Sequence, residues 1–177
     1  VATLSGPNAS KILKTAGIDI SLDPNDFPFM SMQTAHIAGL PVRIFRISFT
    51  GELSYEINIR ARHGLALWTL LMEAGAEHGI TPYGTEAMHV LRAEKGFIIV
   101  GQETDGSVTP QDLGMDWIVS KTKPDFIGKR ALARASMADE NRKQLVGLAT
   151  RERTRVIPEG AHAVLDPNQP MPMEMLG

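Results

Sequence analysis

The sequence predicts an α+β fold in which antiparallel β-hairpins pack against helices. Two stretches, at positions 45–49 and 55–59, alternate between apolar and polar residues, and a short glycine-containing turn joins them. Such a pair of period-two stretches predicts an antiparallel hairpin. Apolar residues at helical spacing flank the hairpin at 9–16 and 65–75, without the regular strand–helix alternation of a parallel sheet.

The first predicted element is a helix that begins around Ser5-Gly6-Pro7 and ends at Gly17. Proline is tolerated in the first turn of a helix, and glycine commonly follows the last turn. Residues 18–32 combine Asp, Pro and Asn with scattered aromatics and are predicted to form a loop. β-structure is predicted from 33 to 60, with the strand before the central turn reaching Phe49.

The remainder of the chain is predicted to contain further helices and short strands. The helices follow the apolar spacing at 63–78, 85–95 and 125–135. The strands are predicted at 117–119, 145–148 and 163–165. A domain boundary is predicted near 139–143, where an alanine-rich helix meets new strands across a charged link. Residues 1–138 would then be part of one domain, and residues 139–177 the start of a small C-terminal β-domain.

The composition excludes several classes of protein. The chain has 177 residues, of which 43% are apolar and 21% charged, and its formal net charge is −2. That near-neutral balance argues against nucleic acid as the main partner. The absence of Cys excludes disulfides and thiolate metal sites, and no apolar run approaches the roughly 20 residues of a membrane span. The five histidines have no partner at a metal-ligand spacing on a predicted helix, which argues against a metal site.

Glu56 is a carboxylate whose position permits two interpretations. It lies between Tyr55 and Ile57 in a predicted strand and therefore on the opposite face. If that face is open, Glu56 is an ordinary solvated residue. If the face is covered, the two carboxylate oxygens can accept hydrogen bonds from the N–H groups of a ligand in a charge-assisted pair. Phe49 likewise allows core packing or contact with a ligand.

A family resemblance bears on this choice. Residues 49–57, Phe-Thr-Gly-Glu-Leu-Ser-Tyr-Glu-Ile, resemble the Tyr-Thr-Gly-Glu-x-Gly-x-Glu-Ile segment of the glycine-cleavage aminomethyltransferase (T-protein) family. Residues 91–96, Leu-Arg-Ala-Glu-Lys-Gly, resemble its Leu-Arg-x-Glu-x-Gly helix end. The stretches 109–117 and 125–132 continue the likeness in order. Within the family, the chain is most similar to the α subunits of heterotetrameric sarcosine oxidases.

The resemblance implies an aminomethyltransferase folate-binding fold for residues 1–138. It also implies that tetrahydrofolate accepts the one-carbon unit released by oxidative demethylation of sarcosine. The family's pterin-binding carboxylate falls on Glu56 and its pterin-contacting tyrosine on Phe49. Arg92 and Trp117 are secondary candidates that are expected to support the site.

The same resemblance implies features outside these residues. Flavin and NAD are expected on other segments or subunits, with the remaining sarcosine oxidase subunits as partners in the cytoplasm. The family's catalytic aspartate is expected upstream of Val1, so no catalytic residue is assigned and the fragment by itself is expected to be inactive. Met88 stands where aminomethyltransferases have an arginine that could meet the anionic tail of folate, so either a lysine or arginine elsewhere replaces it or the tail stays in solvent. The alternatives are a stand-alone glycine-cleavage-type aminomethyltransferase and a non-catalytic folate-binding or scaffold domain.

Overall fold

A computed structural model describes residues 1–158 and 160–176 of the chain. The backbone forms two units, Val1–Ile99 and Val100–Gly177, and each is described by itself. The domain boundary between residues 138 and 139 stays a prediction. Within the described residues, every helix is too short or too polar to cross a membrane.

The first unit contains a four-stranded antiparallel sheet, as the hairpin pattern predicts. Its strands are β1 (Ala2–Ser5), β2 (Met32–Ile37), β3 (Leu40–Phe45) and β4 (Ser54–Asn58). The strand order is β1-β4-β3-β2, so β4 and β3 occupy the centre of the sheet. The predicted hairpin is confirmed by the antiparallel pairing of β3 with β4, in which Ile44 lies opposite Ile57.

Three helices complete the first unit. They are α1 (Ala9–Thr15), α2 (Gly64–Gly75) and α3 (Thr85–Glu94). Short 3-10 turns extend α2 at both ends, so the predicted helices at 63–78 and 85–95 are confirmed. The first helix begins later than predicted, because Ser5 belongs to β1 and pairs with Ser54 of β4.

One face of the sheet forms the hydrophobic core with α1 and α2. Tyr55 and Ile57 point from the central strand into this core and are completely buried. They are joined there by Leu13 of α1 and by Leu67 of α2. Because side chains alternate across a strand, Glu56 lies on the opposite face of the sheet.

The strand predicted to reach Phe49 ends at Phe45. Beyond that residue the backbone pairs with the preceding loop, because Arg46 donates its N–H to the Ser31 carbonyl at 3.0 Å and accepts from Met30 at 2.9 Å. Residues 46–53 then form the connection to β4. The apolar alternation continues through this connection, but neighbouring strands are needed to form a ladder.

The second unit has little regular structure in its described residues. Short 3-10 turns form at Gln111–Leu113 and Asp116–Ile118, and α4 covers Lys129–Leu132. The predicted buried strand at 117–119 is wrong, since Trp117 lies in a 3-10 turn with 74% of its surface exposed. The predicted helix from Asp125 shortens to the four residues of α4.

The predicted C-terminal β-domain is not confirmed. The stretches 145–148 and 163–165 contain no strand in the described part of the chain, and Val164 makes only an isolated bridge with Met175. Leu148 and Leu165 are largely exposed. A short apolar run becomes a strand only where a neighbouring backbone pairs with it, and residues 100–158 and 160–176 supply no such partner strand.

A buried ion pair orders part of the second unit. Arg142 donates from Nε and Nη2 to the carboxylate of Asp112, at 2.9 Å and 2.5 Å. The Thr109 N–H donates to the same carboxylate at 2.7 Å, and the Leu145 N–H donates to the Asp112 carbonyl at 2.7 Å. The hydrogen bonds from Arg142 above all, and those from Thr109, hold the pKa of the Asp112 carboxyl far below its usual range.

Candidate functional site

Glu56 occupies the middle of the polar face of the sheet. It lies on β4 with Thr3 of β1 on one side and Phe45 of β3 on the other. Its side chain is half-buried, and neighbours two positions away on the same face are Ser54 and Asn58. The pairing on both sides fixes the backbone position of this carboxylate and directs it away from the core.

Three hydroxyl groups cover the face at the Ser54 end. The Ser5 and Ser54 Oγ atoms are 2.8 Å apart, and Tyr83 Oη donates to Ser5 Oγ at 3.3 Å. Ser54 is buried as a result, with only 2% of its surface exposed. Glu56 is therefore neither fully solvated nor fully enclosed. The hydroxyl groups of Ser5, Ser54 and Tyr83 lie on one side of it.

Phe49 lies on the connection 46–53 that leads into β4, and this connection packs against α3. The Phe49 ring meets His89 edge to face, with ring centroids 6.3 Å apart. Glu52 and Lys95 form an ion pair at 2.9 Å. At Gly51, with φ of 76°, an added Cβ would come within 2.6 Å of the Lys95 side chain. The position of Phe49 is thus set by its own contact with His89 and by the contacts of Gly51 and Glu52 with Lys95, while part of its ring stays exposed.

Arg92 supports the C-terminal end of α3 from inside the first unit. Only 6% of its surface is exposed, and Nη1 donates to the Phe97 carbonyl at 3.0 Å. Lysine or arginine at this end of a helix also interacts favourably with the helix dipole. The burial of Arg92 favours a structural role over direct contact with a ligand. Trp117, the fourth residue predicted for the site, belongs to the second unit.

A groove of about 670 Å³ opens on the same polar face of the sheet, beyond Asn58. Its lining includes Asn58 of β4, Arg43 of β3, Thr34 of β2 and, after β4, Arg60. Glu56 is not part of the lining but lies two residues from Asn58 on the same strand face. The sequence reasoning missed this groove, although the period of two on β4 already groups Ser54, Glu56 and Asn58 on one face.

Asp19, an acidic residue that lines the groove, is hydrogen-bonded to His36. Asp19 accepts hydrogen bonds from the His36 backbone N–H at 2.6 Å and pairs with His36 Nδ1 at 2.8 Å. The first of these contacts is the main reason that the pKa of the Asp19 carboxyl is lowered. No group of three or more His, Asp or Glu side chains suited to a metal ion occurs among the residues described.

Comparison with known proteins identifies the class. Residues 1–123 match the model of the GCVT N-terminal domain, and the chain therefore belongs to that family. The match includes the whole sheet, all three helices of the first unit and the connection that carries Phe49.

Within this family the chain is most informatively compared with three curated relatives. It is 52% identical to the sarcosine oxidase subunit alpha of Corynebacterium sp. (strain P-1) across 91% of its length, but spans only 17% of that subunit. It is 37% identical to human mitochondrial dimethylglycine dehydrogenase, of which it spans 19%. It is 36% identical to the aminomethyltransferase of Halothermothrix orenii, of which it spans 44%. These relatives are enzymes, and the resemblance to sarcosine oxidase α subunits and aminomethyltransferases is confirmed.

Proposed function

We propose that this chain is the tetrahydrofolate-binding part of a sarcosine-oxidase-like enzyme. The parent enzyme would transfer the one-carbon unit from oxidative demethylation of sarcosine to tetrahydrofolate. The observation that carries the proposal is the position of Glu56, a half-buried carboxylate on the polar face of the central strand. The identity of 52% to a sarcosine oxidase α subunit supports this enzyme over a stand-alone aminomethyltransferase, since the identity to the aminomethyltransferase of Halothermothrix orenii is 36%.

Glu56 fits the hydrogen-bonding edge of a pterin. An ionised carboxylate accepts hydrogen bonds through two oxygens and matches adjacent N–H donors of a planar ring. Partial burial strengthens such a charge-assisted pair, because fewer water molecules compete for the same atoms. The serine hydroxyls at the Ser54 end can donate to or accept from polar atoms at the edge of the same ring.

Phe49 is the second residue assigned to the ligand. Its partly exposed ring offers an apolar face for stacking, and the contacts of its loop with α3 hold it in place. Arg92 acts through α3, whose end it ties to the Phe97 carbonyl. Trp117, which belongs to the second unit, is proposed as a supporting residue, and its indole ring is exposed.

Tetrahydrofolate supplies the nitrogen atoms that take up the one-carbon unit. In this proposal the chain binds and orients tetrahydrofolate, and none of its residues is assigned to proton transfer. Flavin and NAD would be held by other segments or subunits, and the remaining sarcosine oxidase subunits would be partners. The cytoplasm is the compartment proposed for the whole assembly.

The proposal is tested by Glu56→Gln in the full natural polypeptide, purified with its partner subunits. We expect at least a tenfold loss of tetrahydrofolate affinity, about 1.4 kcal/mol, because the amide keeps one acceptor but loses the charge. Isothermal titration calorimetry measures the affinity, and sarcosine-dependent one-carbon transfer is followed with the same preparations.

Glu73→Gln is the matched control, because Glu73 is an exposed glutamate on α2, the helix that packs on the opposite, apolar side of the sheet. It should leave the affinity unchanged. Equal tetrahydrofolate affinity in Glu56→Gln and the unsubstituted protein would remove Glu56 from the site. Tight folate binding without any sarcosine-dependent transfer would instead favour a non-catalytic folate-binding domain.

A further inference from the structure

Three hydroxyl groups form a connected chain beside Glu56 on the polar face of the sheet. Tyr83 Oη donates to Ser5 Oγ at 3.3 Å, and Ser5 Oγ lies 2.8 Å from Ser54 Oγ. Ser5 of β1 pairs with Ser54 of β4, and Glu56 is two residues further along β4. Ser5 is therefore a diagonal neighbour of Glu56 at about 7 to 8 Å, so that one small ligand can contact both side chains.

Burial decides the direction of the hydrogen bond between the two serines. Ser54 has only 2% of its surface exposed, and among the described residues its hydroxyl has no hydrogen-bond partner besides Ser5. If Ser5 donated to Ser54, the proton of Ser54 would be buried without an acceptor, which is costly. Ser54 therefore donates to Ser5, which is only partly buried and remains accessible.

The two incoming hydrogen bonds make Ser5 a donor alone. A hydroxyl group has one proton and two acceptor lone pairs. Tyr83 and Ser54 occupy both lone pairs of Ser5, so its proton is what remains for a ligand. Glu56 has the opposite character, because an ionised carboxylate only accepts. Across residues 1–158 and 160–176, no side chain forms a hydrogen bond or an ion pair with the Glu56 carboxylate.

Ser5 and Glu56 together present one donor beside two acceptor oxygens. The complementary ligand has a carbonyl oxygen next to a ring N–H, which is the lactam edge of a heterocycle. A ring with an amino group in place of the carbonyl would direct a further donor at Ser5, which has no lone pair left to accept it. A site that leaves polar groups unpaired with one of two similar ligands discriminates strongly between them.

We propose that Ser5 is a specificity-determining residue that selects a lactam-type heterocycle, and that Tyr83 and Ser54 impose its donor character. This inference rests on the proposed function, and it narrows the role of the serine hydroxyls from donor or acceptor to donor. Ser5 donates to the 4-oxo group of the pterin, and Glu56 accepts from the N3–H and the 2-amino group. Tyr83 is a positioning residue, since it affects the ligand through Ser5.

The test compares tetrahydrofolate with its 4-amino analogue, tetrahydroaminopterin, by calorimetry on the full natural polypeptide with its partner subunits. The unsubstituted protein should bind tetrahydrofolate at least about a hundredfold more tightly than the analogue. Ser5→Ala should weaken tetrahydrofolate binding about tenfold and change the affinity for the analogue by less than about twofold. Tyr83→Phe should strengthen binding of the analogue about fivefold, because Ser5 regains a lone pair that can accept from the 4-amino group.

Ser10→Ala is the matched control for Ser5→Ala. Ser10 also pairs with a tyrosine hydroxyl, that of Tyr55 at 2.9 Å, but it belongs to α1, which packs on the apolar side of the sheet. Its loss should leave the ratio of the two affinities unchanged. Ser5→Thr keeps the hydroxyl and should keep the preference for the 4-oxo ligand. Thermal unfolding of each variant checks that the fold is intact.

The outcomes separate this inference from the proposed function. If Glu56→Gln weakens tetrahydrofolate binding but Ser5→Ala and Tyr83→Phe leave the ratio of the two affinities unchanged, the inference alone is overturned. If the ratio depends on Ser5 and Tyr83 as expected but the preparation transfers no one-carbon unit from sarcosine, the proposed function alone is overturned. If the unsubstituted protein binds neither ligand, both are overturned.

Discussion

In the first unit fifteen apolar side chains are buried in one cluster, whereas the buried side chains described in the second unit are Thr109 and Asp112, both polar. The first unit therefore gains hydrophobic free energy from a shared core, and the second relies on hydrogen bonds and on the buried ion pair between Asp112 and Arg142. Apolar residues such as Trp117 and Leu148 remain exposed in the second unit.

This difference in packing determines which candidate site residues have a fixed position. Glu56 lies on a strand with paired neighbours on both sides and a packed face beneath it. Close-packed surroundings limit the displacement of such a residue, and functional geometry benefits from that rigidity. Trp117, by contrast, is largely exposed, and the described residues of the second unit contain no buried apolar side chain that could hold it in place.

The largest effect should come from Ile57→Ala, which removes a fully buried side chain between α1, α2 and the sheet. We expect a loss of about 3 to 4 kcal/mol in the free energy of unfolding of the first unit, because a cavity replaces the side chain. Hydrogen exchange of the β4 amides in the full polypeptide measures it. Leu148→Ala, at an exposed site in the second unit, should change the same quantity by less than about 0.5 kcal/mol. Comparable losses in both variants would contradict the contrast between the units.

The next effect should come from Asp112→Asn, which leaves Arg142 without its carboxylate partner. We expect the second unit to lose about 1 to 3 kcal/mol of local stability, because buried donors lose a charged acceptor. Hydrogen exchange at the Leu145 amide, which donates to the Asp112 carbonyl, reports the loss. Asp116→Asn is the control, since its ion pair with Lys121 is exposed and 3.7 Å long, and it should have almost no effect.

The same ion pair predicts a pH dependence confined to the second unit. The pKa of Asp112 is lower in the folded protein than in the unfolded chain, so its contribution is complete above the unfolded pKa of about 4. It is lost progressively as the pH falls toward the lowered folded pKa. Protection of the Leu145 amide should therefore decrease below about pH 4 in the unsubstituted protein, and Asp112→Asn should lack this component. An identical pH profile in both proteins would show that Asp112 is not its source.

The smallest effect should come from Glu52→Gln, which breaks the ion pair between the Phe49 connection and Lys95. Both side chains are well exposed, so the loss should stay below about 1 kcal/mol and diminish with added salt. A double-mutant cycle with Lys95→Gln, followed by thermal unfolding at low and high salt, measures the coupling between them. A coupling that does not change with salt would mean that packing, and not charge, joins the connection to α3.

The sequence determined much of the first unit, for a physical reason that is local. Period-two alternation at 55–59 and helical spacing at 65–75 depend only on which side chains must leave water, and both predictions hold. The motif at 49–57 likewise indicated the family, which the match of residues 1–123 to the family model confirms. The choice of Glu56 as a candidate arose from the same alternation, which puts it on the face opposite Tyr55 and Ile57.

The tertiary structure decided where each strand ends and which strands pair, because pairing and burial depend on residues distant in the sequence. The alternation of apolar and polar residues does not specify either. The strand predicted to reach Phe49 stops at Phe45, where the backbone takes partners from the loop around Ser31. The apolar stretches after residue 115 remain without partner strands in the described residues, although each is apolar enough to form a short buried strand. The row that brings Thr34, Arg43 and Asn58 together beside Glu56 exists only through the register of three strands, which no local pattern specifies.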